Sequence, residues 1–138
     1  MSEEWFHWYI EQTSKEKQWS RYRDRFLCPC CYMPTLDERA SYVICPICFW
    51  EDDGQDTDDA EVVRGGPNAG YSLKEARENF IQHHTMYRPS DENSFQREMK
   101  EMPAKKKMYQ SFTCAIKSNT EDDWEKALEV EDEYHNDS

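Results

Sequence analysis

Cys28-Pro29-Cys30-Cys31 begins a pattern that Cys45-Pro46-Ile47-Cys48 completes after an interval of thirteen residues. Each half contains a Cys-Pro-x-Cys turn, in which two thiolates three positions apart point the same way. A second such turn, brought back by a short hairpin, completes a tetrahedron of sulfur, which is the ligand set and spacing of a structural zinc site. The proline presets φ and removes one backbone N–H, so the remaining amides can point at the sulfurs. The sequence therefore predicts one structural Zn2+.

Five of the six cysteines lie in this pattern, so one of the five is outside a four-ligand set. Cys30 lies inside the first turn, and a pairing of Cys30 with Cys28 or Cys31 is an alternative register. The adjacent residues His83 and His84 are another source of a ligand. The repeated Cys-Pro-x-Cys pattern favours the outer cysteines. The predicted ligands are Cys28, Cys31, Cys45 and Cys48.

Two other uses of paired cysteines fit the sequence less well. Two disulfides are disfavoured because the sequence shows no secretory signal, and thiols in a reducing cytosol stay reduced. A thioredoxin-like redox site needs one Cys-x-x-Cys near a βαβ pattern, whereas this sequence has two such pairs and no βαβ pattern. A metal site remains the favoured interpretation.

Four separated blocks of the sequence resemble the bacterial cysteine-rich CPCC domain family. They are the Cys28-Pro29-Cys30-Cys31 turn and residues 35–39, 42–54 and 72–80. The blocks follow one another in the same order over residues 26–84. The sequence departs from the family at Tyr32, where a glycine usually follows the second cysteine of the turn. The resemblance implies a small zinc-binding-type domain in a bacterial cytoplasm, and it implies no reaction.

The composition is acidic, and it is poor in aliphatic but rich in aromatic residues. The chain has 138 residues and a formal charge of −12, with 14% aromatic residues, and its mean hydropathy is −1.10. This length is sufficient for one domain with a modest core that a metal ion would help to stabilise. The negative charge makes nucleic acid an unlikely partner, since phosphate backbones repel it. Neither a membrane span nor a signal peptide is visible, which predicts a cytoplasmic protein.

The predicted fold is a single α+β domain over residues 1–138, in which a zinc-ribbon hairpin packs against several helices and a C-terminal strand. Residues 1–25 are predicted to be an aromatic helical segment, and residues 26–84 to be the zinc-ribbon core, with a strand at 41–44 and a helix capped by Ser72 and Glu75. Residues 85–138 are predicted to form a helix ending at Pro103, a strand over 108–116 with Cys114 on its buried face, and a helix with an acidic tail.

Acidic residues concentrate in residues 51–61 and 121–137. The register of an EF-hand calcium loop is absent from the first segment, so a solvated loop is one interpretation and a binding surface for a basic partner is the other. Trp124 is an aromatic anchor candidate beside the second segment. The candidate partner-binding residues are Glu51, Asp52, Asp53, Asp56, Asp58, Asp59, Glu61 and Trp124.

The sequence shows no convincing catalytic constellation, and zinc bound by four cysteines has no open position for a substrate. We therefore expect that the protein is not an enzyme. The first hypothesis is an acidic immunity or inhibitor protein that neutralises a basic bacterial toxin, such as a nuclease. The alternative is a zinc-ribbon adaptor in transcription, translation or nucleic-acid machinery, based on the basic stretches at 15–25 and 97–107.

Overall fold

The structure, a computed structural model, describes residues 19–137. The described chain begins with a short antiparallel hairpin made of β1 (Arg21–Tyr22) and β2 (Arg25–Phe26). The hairpin turns at Arg23, which has a φ of 56°. The predicted N-terminal helix is therefore wrong over residues 19–25, and residues 1–18 lie outside the described part of the chain.

The cysteine-rich segment after β2 is held by single β-bridges instead of long strands. One bridge pairs Phe26 with Leu36 around the first cysteine turn, and the other pairs Ile44 with Glu51 around the second. The strand predicted at residues 41–44 is reduced to the bridge at Ile44. A turn that returns within a few residues leaves no room for a longer ladder.

Helix α1 (Leu73–His83) follows this segment and begins where the sequence predicts. The Ser72 hydroxyl accepts a hydrogen bond from the Glu75 amide at 3.0 Å, which satisfies one of the free N–H groups of the first turn. The helix ends at His84, whose φ of 61° is left-handed. Leu73, Ala76 and Phe80 are its buried residues.

Helix α2 (Glu92–Ser118) replaces both the helix end predicted at Pro103 and the strand predicted over residues 108–116. Met108, Phe112 and Ala115 are fully buried, and their spacing of four and three residues is that of one helix face. The apolar residues whose alternation suggested a strand also recur at the 3.6-residue spacing of a helix. The structure has the helix, so the strand prediction was wrong. Pro103 lies inside α2 and is exposed. Cys114 is exposed rather than packed.

Helix α3 (Glu121–Asp137) turns back along α2 after a left-handed residue at Asn119. Thr120 caps it, because its hydroxyl accepts a hydrogen bond from the Asp123 amide at 3.3 Å. The Tyr22 hydroxyl donates to the Ala115 carbonyl at 3.1 Å, so the β-hairpin packs on these two helices. One core cluster joins the cysteine segment to all three helices. Among the described helices, none is long and apolar enough to cross a membrane.

Candidate metal centre

The two cysteine turns have equivalent backbone geometry. In the first, the Tyr32 amide donates to the Cys28 carbonyl at 2.8 Å, and in the second the Phe49 amide donates to the Cys45 carbonyl at 2.9 Å. Tyr32 and Phe49 both have positive φ, 65° and 74°. A residue without Cβ adopts this conformation without strain, so Tyr32 and Phe49 each hold a backbone conformation that is costly for a residue with a side chain.

These turns bring four sulfur atoms together in the core. The sulfurs of Cys28 and Cys48 are 3.5 Å apart, and those of Cys31 and Cys45 are 3.6 Å apart. All four lie within 4.8 Å of one another. Sulfur atoms in a tetrahedron with metal–sulfur bonds of about 2.3 Å are about 3.8 Å apart. All six cysteines are free thiols, so the cluster fits a metal ion and sets the disulfide alternative aside.

The donor set also needs a cation for electrostatic reasons. Burial raises the pKa of the Cys28, Cys31 and Cys48 thiols well above its usual value. Burial acts in the same direction on Cys45, but hydrogen bonds from the neighbouring thiols and from Thr35 outweigh it and hold the pKa of Cys45 well below its usual value. Several buried thiolates would repel one another without a bound cation, whereas a metal ion deprotonates coordinating thiols and neutralises them.

Donors around the cluster orient the sulfur atoms. The Thr35 hydroxyl donates to the Cys45 sulfur at 3.1 Å. Backbone amides approach two others, from Cys30 to the Cys28 sulfur at 3.4 Å and from Trp50 to the Cys48 sulfur at 3.5 Å. Contacts of this kind fix the direction of ligand lone pairs and tune the affinity for metal.

The alternative ligands do not join this cluster in the described residues. Cys30 is 2% exposed, and burial raises the pKa of its thiol, which argues against a reactive redox sensor at this position. His83 packs edge-on against Phe95, and His84 against Phe80. The grouping of metal-ligating side chains contains Cys28, Cys31, Cys45 and Cys48.

Asp52, a candidate partner-binding residue, is instead fully buried beside the second turn. Its carboxylate accepts hydrogen bonds from the Arg39 Nε at 2.8 Å, from the Ala40 amide at 2.7 Å and from the Gly54 amide at 3.1 Å. The side chain of Arg39 is itself only 2% exposed. Asp52 therefore ties the segment between the two hairpins to the second hairpin, and it is removed from the predicted binding surface.

Basic side chains of the same chain contact several of the remaining acidic residues in the loop over residues 51–61. Arg39 approaches Asp56 at 3.1 Å, and Arg64 approaches Asp59 at 2.6 Å. These ion pairs reduce the charge that the loop offers to a partner. The half-buried acids of the loop are Glu51, Asp53, Asp56 and Asp59, and the exposed ones are Asp58 and Glu61.

Trp124, the candidate aromatic anchor, is a core residue. It is 6% exposed, and its ring lies between Tyr22 at 5.4 Å and Phe112 at 5.8 Å, measured between ring centroids. Its contacts hold the β-hairpin against α2 and α3. Trp124 is therefore also removed from the predicted binding surface.

Thr35 and Arg39 support the site but were not among the residues predicted from the sequence. Both lie in residues 35–39, a block that carries the CPCC resemblance, and that block is the signal that could have indicated them. Their roles depend on partners ten or more positions away in the sequence, so local patterns did not reveal them.

A family model described as Cysteine-rich CPCC matches residues 26–102. The match contains both cysteine turns, the acidic loop, α1 and the first part of α2. Comparison of the chain with curated proteins and with solved structures finds no match.

Proposed function

Since this chain belongs to the cysteine-rich CPCC family, we propose that it is a non-catalytic, zinc-stabilised protein whose acidic surface binds a basic protein partner. The observation that carries the proposal is the closed cluster of four buried cysteines. A metal ion with four protein ligands has no position left for water or substrate. The proposed compartment is a cytoplasm, whose reducing conditions keep the thiols available as ligands.

Zinc is the proposed metal because all four donors are sulfur and their spacing is that of a tetrahedron. Tetrahedral sulfur sites hold zinc or iron–sulfur clusters, and two Cys-x-x-Cys turns separated by a short hairpin are typical of structural zinc. Zinc binding at such sites contributes roughly 10–16 kcal/mol of apparent free energy. The net stability of a typical domain is about 5–15 kcal/mol, so the proposed ion determines whether the domain folds.

The metal proposal is tested with two matched cysteine variants. We expect purified wild-type protein and Cys30→Ser to contain one zinc per chain by elemental mass spectrometry, whereas Cys45→Ser loses zinc or folds poorly. Iron with visible absorption bands would point to an iron–sulfur cluster. If Cys45→Ser keeps full zinc content and wild-type stability, or if Cys30→Ser loses the metal, the assignment of the ligands is wrong.

The outer side of α3 is the acidic surface that supports partner binding. We call it the α3 acidic face. Its members follow one another at helical spacing on one side of the helix, opposite the buried positions Trp124, Ala127 and Glu131. All members are exposed. They are Glu121, Asp122, Glu125, Glu129 and Asp132.

A basic protein is the partner class that this face favours. An excess of one charge on an exposed helix speeds encounter with an oppositely charged protein and rejects partners of like charge. A nuclease toxin has a basic cleft that receives phosphates, so an immunity protein that covers such a cleft is the specific form of the proposal. Asp58 and Glu61 are the exposed acidic residues of the loop over residues 51–61.

The adaptor hypothesis has weaker support. Its basic stretch at 97–107 is not a continuous surface, because Lys105 is 1% exposed and pairs with the buried Glu98. Arg97 lies over the ring of Phe49 at 4.6 Å. Binding of a phosphate backbone requires basic side chains that remain accessible.

Partner binding is tested by affinity purification with two baits from a nuclease-treated lysate of the source organism. One bait is the wild-type protein, and the other carries Glu125→Gln, Glu129→Gln and Asp132→Asn on the α3 acidic face. We expect a basic protein to bind the wild type, to dissociate as salt is raised, and to be lost with the variant. Equal recovery with both baits would refute the proposed surface, and salt-sensitive binding of DNA or RNA would favour the adaptor.

A further inference from the structure

The side chain of Arg77 extends from α1 to the first cysteine turn. Its Nε donates to the Pro29 carbonyl at 2.8 Å, and the side chain is only 16% exposed. Pro29 is buried, and a buried carbonyl that lacks a donor is costly. A charged donor makes a stronger hydrogen bond than a neutral one, so Arg77 holds the turn that carries Cys28 and Cys31.

The same guanidinium also reaches the acidic loop. The Nη2 of Arg77 donates to the Thr57 hydroxyl oxygen at 3.3 Å and lies 3.7 Å from the Asp56 carboxylate. Asp56 caps the short 3-10 helix of the loop (Thr57–Asp59), because its carboxylate accepts a hydrogen bond from the Thr57 amide at 2.7 Å. Arg77 therefore contacts the loop at the cap that fixes its backbone.

Asp56 lies between two arginine side chains. Its other carboxylate oxygen is 3.1 Å from the Arg39 Nη1, and Arg39 pairs with Asp52 beside the second turn. One carboxylate thus joins Arg77, at the first turn, to Arg39, beside the second. The loop and the two cysteine turns belong to one continuous set of polar contacts.

We propose that Arg77 is a positioning residue of the metal centre, which clamps the first cysteine turn to the cap of the acidic loop. The proposal rests on the metal site of the proposed function, because the clamp holds Cys28 and Cys31 where the ion needs them. A planar guanidinium donates in two fixed directions, which the single ammonium of lysine does not reproduce. The position of the loop, with its exposed Asp58 and Glu61, would then depend on the metal centre.

The two turns offer an internal comparison that separates positioning from general stabilisation. The Tyr32 amide closes the first turn at 2.8 Å, and the Phe49 amide closes the second at 2.9 Å. A loss of global stability would expose both amides to solvent equally. The loss of a clamp on the first turn would expose the Tyr32 amide and leave the Phe49 amide protected.

The first experiment measures amide hydrogen exchange by NMR in the zinc-loaded full chain. We expect Arg77→Gln to accelerate exchange at Tyr32 by about tenfold or more, because a buried carbonyl loses a charged donor. Exchange at Phe49 should stay at the wild-type rate. Arg77→Lys keeps the charge and the length of the side chain, so it repeats the comparison without the loss of a cation.

The matched control is Arg64→Gln. Arg64 is the other arginine that contacts the loop, since its Nη2 lies 2.6 Å from the Asp59 carboxylate. The Val62 amide reports on the loop, because it donates to the Asp59 carbonyl at 3.0 Å. We expect Arg64→Gln to accelerate exchange at Val62 and to leave Tyr32 unchanged, whereas Arg77→Gln should accelerate both.

A second measurement follows the metal ion. Zinc release to an excess of chelator should be about tenfold faster in Arg77→Gln and Arg77→Lys than in the wild type, because contacts around a ligand set tune its hold on the metal. Arg64→Gln should release zinc at the wild-type rate.

Three outcomes overturn the clamp. Wild-type exchange at Tyr32 in Arg77→Gln would show that Arg77 does not hold the turn, and equal acceleration at Tyr32 and Phe49 would show that it only stabilises the domain. Zinc release at the wild-type rate in Arg77→Lys would show that charge alone is sufficient. Purified wild type without zinc would instead refute the proposed metal, and the comparison of the Tyr32 and Phe49 amides would still test the clamp.

Discussion

The ion pair between Arg39 and Asp52 gives the sharpest prediction, because charge counting and the structure assign Asp52 opposite roles. As a surface acid, Asp52 would tolerate substitution. In the structure it has no exposed surface and accepts three N–H donors, at 2.7, 2.8 and 3.1 Å. Asp52→Asn keeps the shape of the side chain but leaves the buried guanidinium of Arg39 without its nearest carboxylate.

Removing one partner of a buried ion pair costs about 3–5 kcal/mol. Arg39 keeps its contact with Asp56 at 3.1 Å, so we expect the lower end of this range, about 3 kcal/mol. This is a large part of the 5–15 kcal/mol that is typical of a domain. The matched control is Glu61→Gln in the same loop, because Glu61 is exposed and lies 3.7 Å from the exposed Lys74. An exposed pair contributes at most about 1 kcal/mol.

The assay is urea unfolding at a fixed free zinc concentration, since zinc bound to the folded state shifts its apparent stability. With a urea slope of about 1–3 kcal/mol per molar, Asp52→Asn should lower the midpoint by about 1–3 M. Glu61→Gln should lower it far less. Combining Asp52→Leu with Arg39→Met should cost less than the sum of the two single changes, because neither charge is left unpaired. Equal midpoints for Asp52→Asn and Glu61→Gln would refute the structural role of Asp52.

Three further predictions concern the cysteine cluster. Thr35→Val removes the hydroxyl that donates to the Cys45 sulfur, so the affinity for zinc, measured by competition with a chelator, should fall about 10–100-fold; unchanged affinity would show that the contact is incidental. Because burial holds the pKa of the Cys28, Cys31 and Cys48 thiols well above its usual value and zinc binds thiolates, zinc binding should release protons, so the affinity for zinc should rise as the pH is raised, as measured by chelator competition at several pH values. An affinity that does not change with pH would contradict thiolate ligation. Tyr32→Gly relieves a left-handed φ of 65° that costs other residues about 1–2 kcal/mol, against roughly 0.5–1 kcal/mol of added backbone entropy; the net effect expected is therefore a rise in unfolding free energy of about 0.5 kcal/mol, measured by urea unfolding. A clear loss of stability would contradict the strain argument.

The sequence was most informative where the geometry of a short segment depends only on residues within that segment. The Cys-Pro-x-Cys turns and the cap at Ser72 depend on residues within a few positions, and the structure confirms both. The strand predicted over residues 108–116 failed for the complementary reason. A few apolar residues in a short window fit both periods, and only packing against the cysteine segment and α3 selects the helix.

The sequence by itself determined that four cysteines form two paired turns able to meet, that the chain is acidic, and that it resembles the CPCC family. These properties follow from local spacing and from composition. Only the tertiary structure decided which acidic residues are available to a partner, because burial and ion pairing depend on residues distant in the sequence. It placed Asp52 under Arg39 and Trp124 in the core, and it left the outer side of α3 as the exposed acidic surface.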